Sequence, residues 1–396
     1  MDVTVRQGDS LWYYSQLFSL PFQLIVDSNR EINPSQLFIG QSIKIPGFVT
    51  TNVSISRGDS LWLIAQQSGL PVDAILVTNP GVTPTTLQIG QVIRVPVRVT
   101  WRVVNGKENY TYEKMIEDIN QLVAIYPFVI NESIGSSVMG KTLPELRIGR
   151  GSKRLHMNGS FHANEWITTP IIMRFLNEYL VSLTNFGQIR GLNMLPFYDL
   201  TSLSTVPMVD PDGVNLVIKG LPEEEPYRSN VLDINGGNTD FSTWKANIRG
   251  VDLNNNYPAN WEIEAERKEQ QPSPFNYPGP SPLSEPESIA MADLTYARDF
   301  ARILTFHTQG EVIFWGYENL EPPEAEVIVE EFARVSGYRP IREVDSYAGY
   351  RDWYIQEYQR PGYTIELGKG ISPLPLTQFD EIYQETLGIF LANLYM

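Results

Sequence analysis

The 396-residue chain contains no cysteine and only three histidines. Without thiols it has no disulfide framework, no thiolate nucleophile and no thiolate metal ligand, so any metal must be held by histidine and carboxylate. Positive charge is also scarce, with 30 Lys and Arg against 46 Asp and Glu and a formal net charge of −16. No run of Lys or Arg forms a stripe able to track phosphates or anionic lipid, which argues against nucleic acid and against a membrane surface as partners. Nowhere do about 18 apolar residues run together, so no membrane insertion is expected. The opening MDVTVRQGDSLW lacks a basic segment followed by an apolar one, so no export signal is visible.

A repeat fills the first hundred residues. VRQGDSLW…LP…IGQSIKIP at 5–46 recurs as ISRGDSLW…LP…IGQVIRVP at 55–96, with GDSLW at 8 and 58 and IGQ at 39 and 89. Each copy reads as a short strand, a Gly-Asp-Ser turn, a helix from Leu-Trp, a second helix after Pro that ends near Asn29 or Asn79, and a closing strand ending in Pro. That is a small βααβ unit. Residues 47–53, GFVTTNV, read as a linker between the copies.

The two copies resemble LysM domains, small modules that bind N-acetylglucosamine-containing glycans such as peptidoglycan and chitin. The matching features are the GDSLW turn, the Asn near the end of the second helix and the IGQxIxxP ending. The resemblance covers 3–47 and 53–97. It implies glycan contacts from Gly8, Asp9, Ser10 and 33–36 in the first copy, and from Gly58, Asp59, Ser60 and 83–86 in the second.

From about residue 100 to 396 the pattern changes to amphipathic helices at 111–126, 168–183, 322–336 and 376–394, alternating with the strand-like runs LHMNGSF, LNMLPF, TVPMVD, RILTFH, VIFWGY and YTIEL. This alternation predicts an α/β catalytic domain, a mixed and largely buried sheet with helices on both faces, and reactive groups in loops at strand ends. GSSVMGKT at 135–142 fits the phosphate-loop template letter for letter, but TLPELRIGRG follows in place of a long helix. The stretch therefore reads as a hairpin turn.

In GSFHANEW, His162 and Glu165 lie at the end of a strand-like run; His307 closes RILTFH. Two histidines and a carboxylate, each at a strand end, make a His₂Glu set that leaves zinc one open position. Glu366 in YTIELG also ends a strand, among apolar neighbours that raise a carboxyl pKa toward that of a useful base. His156 sits mid-strand between Leu155 and Met157 and reads as a core residue.

Over about 100–396 the chain resembles the zinc carboxypeptidases, on ordered motifs: HxxE at His162 and Glu165, a PDG turn at 211–213, RGVDLNNNYP at 249–258, His307, GYRDW at 349–353 and the IELG glutamate. The resemblance implies one catalytic zinc per chain on His162, Glu165 and His307, with Glu366 as general base and acid. Asp252 would accept the second imidazole hydrogen of a zinc histidine. Lys245 stands where the family has the arginine that polarises the scissile carbonyl, with Arg249 as the alternative. Asn254, Asn255, Tyr347, Arg351 and Asp352 would line the substrate site.

Two departures bear on the reaction. The family's arginine that grips a terminal carboxylate is replaced by Asn255, so the enzyme need not be an exopeptidase. The closing tyrosine aligns with Val344, Tyr347 being only nearby. Glycan-binding repeats joined to such a peptidase point to peptidoglycan strands and stem peptides as partners. The combination resembles bacterial γ-D-glutamyl-meso-diaminopimelate peptidases, and an arginine at 351 suits the side-chain carboxylate of diaminopimelate. A carboxypeptidase of broader specificity and a glycan-binding protein with an inactive peptidase domain are the alternatives. The expected setting is a bacterial cytoplasm, or a spore or cell wall reached by a route not encoded here.

Overall fold

The computed structural model describes residues 1–396. In the first repeat, β1 (Asp2–Thr4) pairs antiparallel with β2 (Ser42–Lys44), and α1 (Leu11–Leu17) and α2 (Phe22–Asp27) lie between them in sequence. The second repeat follows with β3 (Phe48–Ser54), α3 (Leu61–Ser68), α4 (Val72–Thr78) and β4 (Val92–Arg98), and β3 pairs antiparallel with β4. Gly8 and Gly58 turn the chain at φ 88° and 94°, where a side chain would be strained. Ser10 and Ser60 then accept the N–H groups of Tyr13 and Leu63 at 3.1 and 3.2 Å, capping the first helix of each copy. Asn29 and Asn79 recur for a different reason. Each donates its amide to the closing strand, at Lys44 O (2.9 Å) and Arg94 O (2.7 Å), and accepts that residue's N–H at 2.8 Å, tying helix end to strand.

The expected linker at 47–53 is a correction: nearly all of it is strand β3. Its Thr, Asn and Ser residues have a loop-like composition, but the β-branched threonines and valines suit an edge strand, and β4 supplies the hydrogen-bonding partner.

Two compact units emerge from the chain, one comprising Met1–Val103, Asp118–Ile130 and Asn177–Pro196, the other Val104–Glu117, Asn131–Leu176 and Phe197–Met396. After α5 (Tyr112–Ile125) come β5 (Ile130–Ser136), β6 (Thr142–Ile148), β7 (Lys153–Gly159), α6 (Thr168–Asn185), a small ribbon of β8 (Gln188–Ile189) and β9 (Leu192–Asn193), α7 (Leu195–Leu200) and β10 (Thr201–Val206). The remainder is α8 (Pro211–Lys219), α9 (Tyr227–Ile234), α10 (Trp261–Arg267), α11 (Pro286–Arg298), β11 (Arg302–His307), β12 (Val312–Phe314), α12 (Glu324–Ser336), β13 (Arg339–Ile341), α13 (Tyr350–Tyr358), β14 (Gly362–Glu366) and α14 (Phe379–Tyr395).

The main sheet has eight strands in the order β13-β12-β14-β11-β7-β10-β6-β5. Its centre, β14-β11-β7-β10, is parallel, while β6 and β12 join it antiparallel, so the sheet is mixed. Every residue of β11 is buried, the apolar Ile303, Leu304 and Phe306 together with the polar Arg302, Thr305 and His307. Ile303 and Phe306 fall on opposite faces of that strand. Ile303 joins the cluster that holds Met291 of α11 and Ile355 of α13, whereas the Phe306 ring lies 5.1 Å from Phe390 of α14. Helices therefore cover both faces.

Two local expectations fail. LNMLPF forms strand only at Leu192–Asn193 before turning into α7, because the Asn193 side chain accepts the Leu195 N–H at 3.1 Å and Pro196 sits comfortably in a first helical turn. PDG is not a turn between elements but the start of α8, capped by Asp210 on Gly213 N at 2.9 Å. The phosphate-loop template, by contrast, is the β5–β6 hairpin, closed by Ser137 N to Lys141 O at 2.8 Å. No helix is long and apolar enough to cross a membrane.

Candidate metal centre

Parallel pairing of β7, β11 and β14 brings their C-terminal ends together, and with them His162, Glu165, His307 and Glu366. His162 follows β7 and precedes a single 3₁₀ turn at Ala163–Glu165 that returns the carboxylate to the imidazole. His162 Nδ1 lies 2.9 Å from Glu165 Oε1, and His307 Nδ1 lies 2.9 Å from Glu165 Oε2 and 3.1 Å from His162 Nδ1. All three side chains are buried and offer ligand atoms within 4.8 Å of one another. Asp252 Oδ1 accepts from His162 Nε2 at 3.2 Å, which leaves the Nδ1 lone pair facing the cluster. Two nitrogen lone pairs and a carboxylate turned toward one point, away from water, need a cation between them. The donor set, two imidazoles and one carboxylate, is the one that suits a catalytic zinc site.

The surrounding charges follow from the same packing. Lys245 Nζ donates to Asp252 Oδ2 at 2.8 Å, and Asp252, fully buried, titrates well below the usual carboxylate range because Lys245 and His162 overcome its burial. Burial works against protonation of His162, but Glu165 and Asp252 carry its pKa upward; for His307 burial prevails and the pKa falls. Glu366 is pushed up to about 8, first by burial and then by Glu165, with His162, Lys245 and Arg351 opposing.

His156 is a core residue as expected: it is fully buried, its ring lies 4.6 Å from Phe300, and Nδ1 meets Ser204 Oγ at 3.2 Å. Lys245 and Arg249, the two candidates for polarising the carbonyl, have different partners. Arg249 is half exposed and reaches Glu285 at 3.5 Å, while Lys245 occupies the ground beside Asp252. Asn254 accepts the Tyr350 N–H at 3.2 Å at the start of α13, so the 3₁₀ turn Leu253–Asn255 links the metal ligands to Arg351. Arg351 is buried, its Nε and Nη2 on Asp352 Oδ1, its Nη1 without a partner. Asp352 also accepts the Gly349 N–H at 3.1 Å. It thus both holds Arg351 and caps α13. Tyr347 donates its backbone N–H to Glu264 at 2.6 Å, whereas Val344 is exposed.

Sequence reasoning missed Glu264 and Lys268. Glu264 is fully buried and accepts from Arg267, Lys268 and Tyr347. In the sequence both lie in WEIEAERKEQ, a charged run indistinguishable from a solvated helix face.

In the repeats, Asp9 accepts from Arg6 N (2.9 Å) and Tyr14 Oη (2.8 Å), and Arg6 forms a bidentate pair with Asp73 at 2.7 and 2.6 Å. Asp59 accepts only Ser56 N, at 2.7 Å.

A parallel-centred α/β sheet with His₂Glu and a half-buried glutamate at its strand ends, and a lysine paired with Asp252 beside them, defines a metal-dependent hydrolase. The zinc carboxypeptidase family model matches residues 115–388 and the LysM model matches 3–46 and 53–96. The chain is 62% identical over 396 residues, the full length of both proteins, to gamma-D-glutamyl-L-diamino acid endopeptidase 1 of Lysinibacillus sphaericus. Among solved structures its fold is similar to thrombin activatable fibrinolysis inhibitor (TM-score 0.61, 18% identity, 74% of this chain and 79% of that one). It is also similar to carboxypeptidase A from Helicoverpa armigera (TM-score 0.56, 16% identity, 88% and 97%). The chain belongs to the zinc carboxypeptidase family and carries two LysM domains ahead of its peptidase domain.

Proposed function

We propose that the protein hydrolyses the γ-D-glutamyl–meso-diaminopimelate bond of peptidoglycan stem peptides, using one zinc per chain, while its LysM repeats hold the N-acetylglucosamine-containing glycan. The reading is carried by the full-length similarity to an endopeptidase named for a γ-D-glutamyl-L-diamino acid linkage, which spans the repeats as well as the peptidase domain. The buried, partly unpaired guanidinium of Arg351 supports it independently.

His162, Glu165 and His307 would hold the zinc, which when bound supplies a Lewis acid that polarises water and the scissile carbonyl. Glu366, with a pKa displaced upward, takes the proton from the attacking water and passes it to the departing amine of the diamino acid. Lys245 places a positive charge next to Asp252, where it balances that carboxylate and would stabilise negative charge developing on the carbonyl oxygen. Asp252 fixes the His162 tautomer. Arg351 Nη1, unpaired and buried, offers its N–H groups to the side-chain carboxylate of diaminopimelate, and lysine in that position would leave them unmet.

Mass spectrometry of defined muropeptides after digestion tests this. A muropeptide shortened to L-alanyl-D-glutamate and the free diaminopimelate-containing fragment are expected; cleavage at any other bond, or none, sinks the assignment.

A further inference from the structure

Two of the three ligands of the metal centre, His162 and Glu165, lie three places apart in one loop, and the residue that opens that loop has a strained backbone. Ser160, fully buried, has φ 49°, in the left-handed region that residues with a side chain seldom adopt. This lets the chain leave β7 sharply and enter the 3₁₀ turn that carries the ligands. Every polar group of Ser160 has its own partner. Its carbonyl accepts the Asp210 N–H at 2.9 Å just before α8, its N–H donates to Thr168 Oγ1 at 2.8 Å, and its hydroxyl lies 2.7 Å from Thr169 Oγ1.

A hydroxyl has one hydrogen to give, which fixes the direction of these bonds. Thr169 Oγ1 donates to Pro207 O at 2.7 Å, so it accepts from Ser160 Oγ. Thr168 Oγ1 accepts the Ser160 N–H and donates its own hydrogen to Glu165 O at 2.9 Å. One hydroxyl thus joins the main chain just before His162 to the main chain of Glu165 and closes the loop that carries both ligands. Thr168 comes this near because residue 159 is glycine: a Cβ there would lie 2.9 Å from Thr168 Oγ1 and 2.9 Å from Ile172 Cδ1. Thr168 and Thr169 are fully buried, so loss of the Thr168 hydroxyl would leave the Ser160 N–H and the Glu165 carbonyl unpartnered away from solvent.

We propose that Thr168 and Ser160 are positioning residues for the metal: the Thr168 hydroxyl sets the separation of His162 from Glu165, and the left-handed turn at Ser160 aims both at His307. This rests on His162, Glu165 and His307 as the zinc ligands proposed above. Zinc sites hold their ligand distances to within about 0.2 Å, and a buried N–H and carbonyl deprived of their common partner would draw the loop toward other groups by more than that. The conformation of Ser160 is strain that the surrounding hydrogen bonds hold in place, as expected where a site's geometry is fixed before its ligand arrives. Neither residue offers a ligand atom to the cluster; both act through the main chain of the ligand loop.

The test uses the full-length protein and its Thr168→Val, Thr168→Ser and Ser160→Gly forms. Competition with a chelator reads zinc affinity, the absorption spectrum of the cobalt(II) form reads ligand geometry, and the thermal midpoint of the metal-free protein reads stability. Thr168→Val, of the same shape without the hydroxyl, is expected to weaken zinc binding about tenfold or more and to alter the cobalt spectrum, with Thr168→Ser recovering most of the loss. Ser160→Gly relieves the left-handed strain but loses the bond to Thr169, so its midpoint should stay close to that of the unmodified protein while zinc affinity falls about threefold or more. If Thr168→Val fails to fold, Ser160→Gly carries the same comparison. A Thr168→Val form with a lowered midpoint but unchanged zinc affinity and cobalt spectrum has lost only a structural bond and overturns the proposal, as does a Thr168→Ser form no better than Thr168→Val. Normal zinc uptake with affinity insensitive to both residues defeats this inference alone. No zinc uptake by the unmodified protein defeats the metal reading, and this inference with it.

Discussion

His307 and Glu366 are cross-strand partners on the last rung between β11 and β14, and the ladder continues past them through Leu367 N to His307 O at 2.8 Å. A metal ligand and the proton acceptor thus come from adjacent parallel strand ends, and the backbone sets their separation. Neither depends on a mobile loop for its position, which matters because small misplacements of a reacting group are costly in rate.

Glu366→Gln should keep the metal and lose turnover by about 10² to 10⁴, the usual worth of a positioned general base. Metal analysis alongside kcat checks both halves. A glutamine form with full activity removes Glu366 from the mechanism, and a form without metal shows that it is needed for binding as well.

Asp252→Asn should weaken zinc affinity by about 10- to 100-fold, because the carboxylate that holds His162 Nε2 at 3.2 Å is gone. Lys245 loses its partner in the same substitution. Competition with a chelator measures the loss, and His162→Ala, lacking one of three ligands, should bind no zinc under the same conditions.

Arg351→Gln should reduce the preference for diaminopimelate-type over lysine-type stem peptides by about tenfold or more, the value of a charge-assisted hydrogen bond to a buried guanidinium. The ratio of kcat/KM for the two peptides is the measurement. Glutamine is chosen over alanine so that Asp352, which accepts from Arg351 and from Gly349 N, is not left facing a void.

Stability should fall as pH rises from about 4.5 to about 8 because of Glu287, which burial holds at about 8 in the folded protein against about 4.5 for an ordinary glutamate. Within that window the unfolded chain has released the proton that the folded one still binds, so unfolding gains from rising pH. Glu287 lies near Asp212 and Glu285, which add to the effect, and accepts the Val138 N–H at 2.9 Å. Glu287→Gln should flatten the profile by an amount on the order of a few kcal/mol. Urea midpoints at pH 5 and pH 8 decide it; an unchanged slope means that another group titrates.

Asp59→Ala combined with Thr86→Ala should weaken binding to intact sacculi, by about tenfold or more if two tethered repeats act together. The loss should be confined to polymer, since soluble stem peptides present no glycan to the repeats. Sedimentation with purified sacculi measures it. The second copy is the better target because Asp59 meets only Ser56 N, whereas Asp9 is engaged by Arg6 and Tyr14.

Sequence alone determined what depends on local periodicity and on fixed spacing. The two βααβ repeats were legible because turn glycine, capping serine and closing strand recur in the same register, and each answers a local backbone need. His162, Glu165, His307 and Glu366 were legible because each ends a strand-like run, where an α/β sheet exposes its reactive groups. The tertiary structure decided what depends on partners distant in the chain. Strand β3 formed from a linker-like composition because β4 was available to pair with it. Lys245 and Arg249 were both candidates in the sequence, and only packing set one on Asp252 and the other on Glu285. The partners of Lys268 were invisible in a charged run, and appeared only when α10 carried it to Asn255 with Glu264 buried beneath it. Charge in a sequence has no direction, and only packing gives it one.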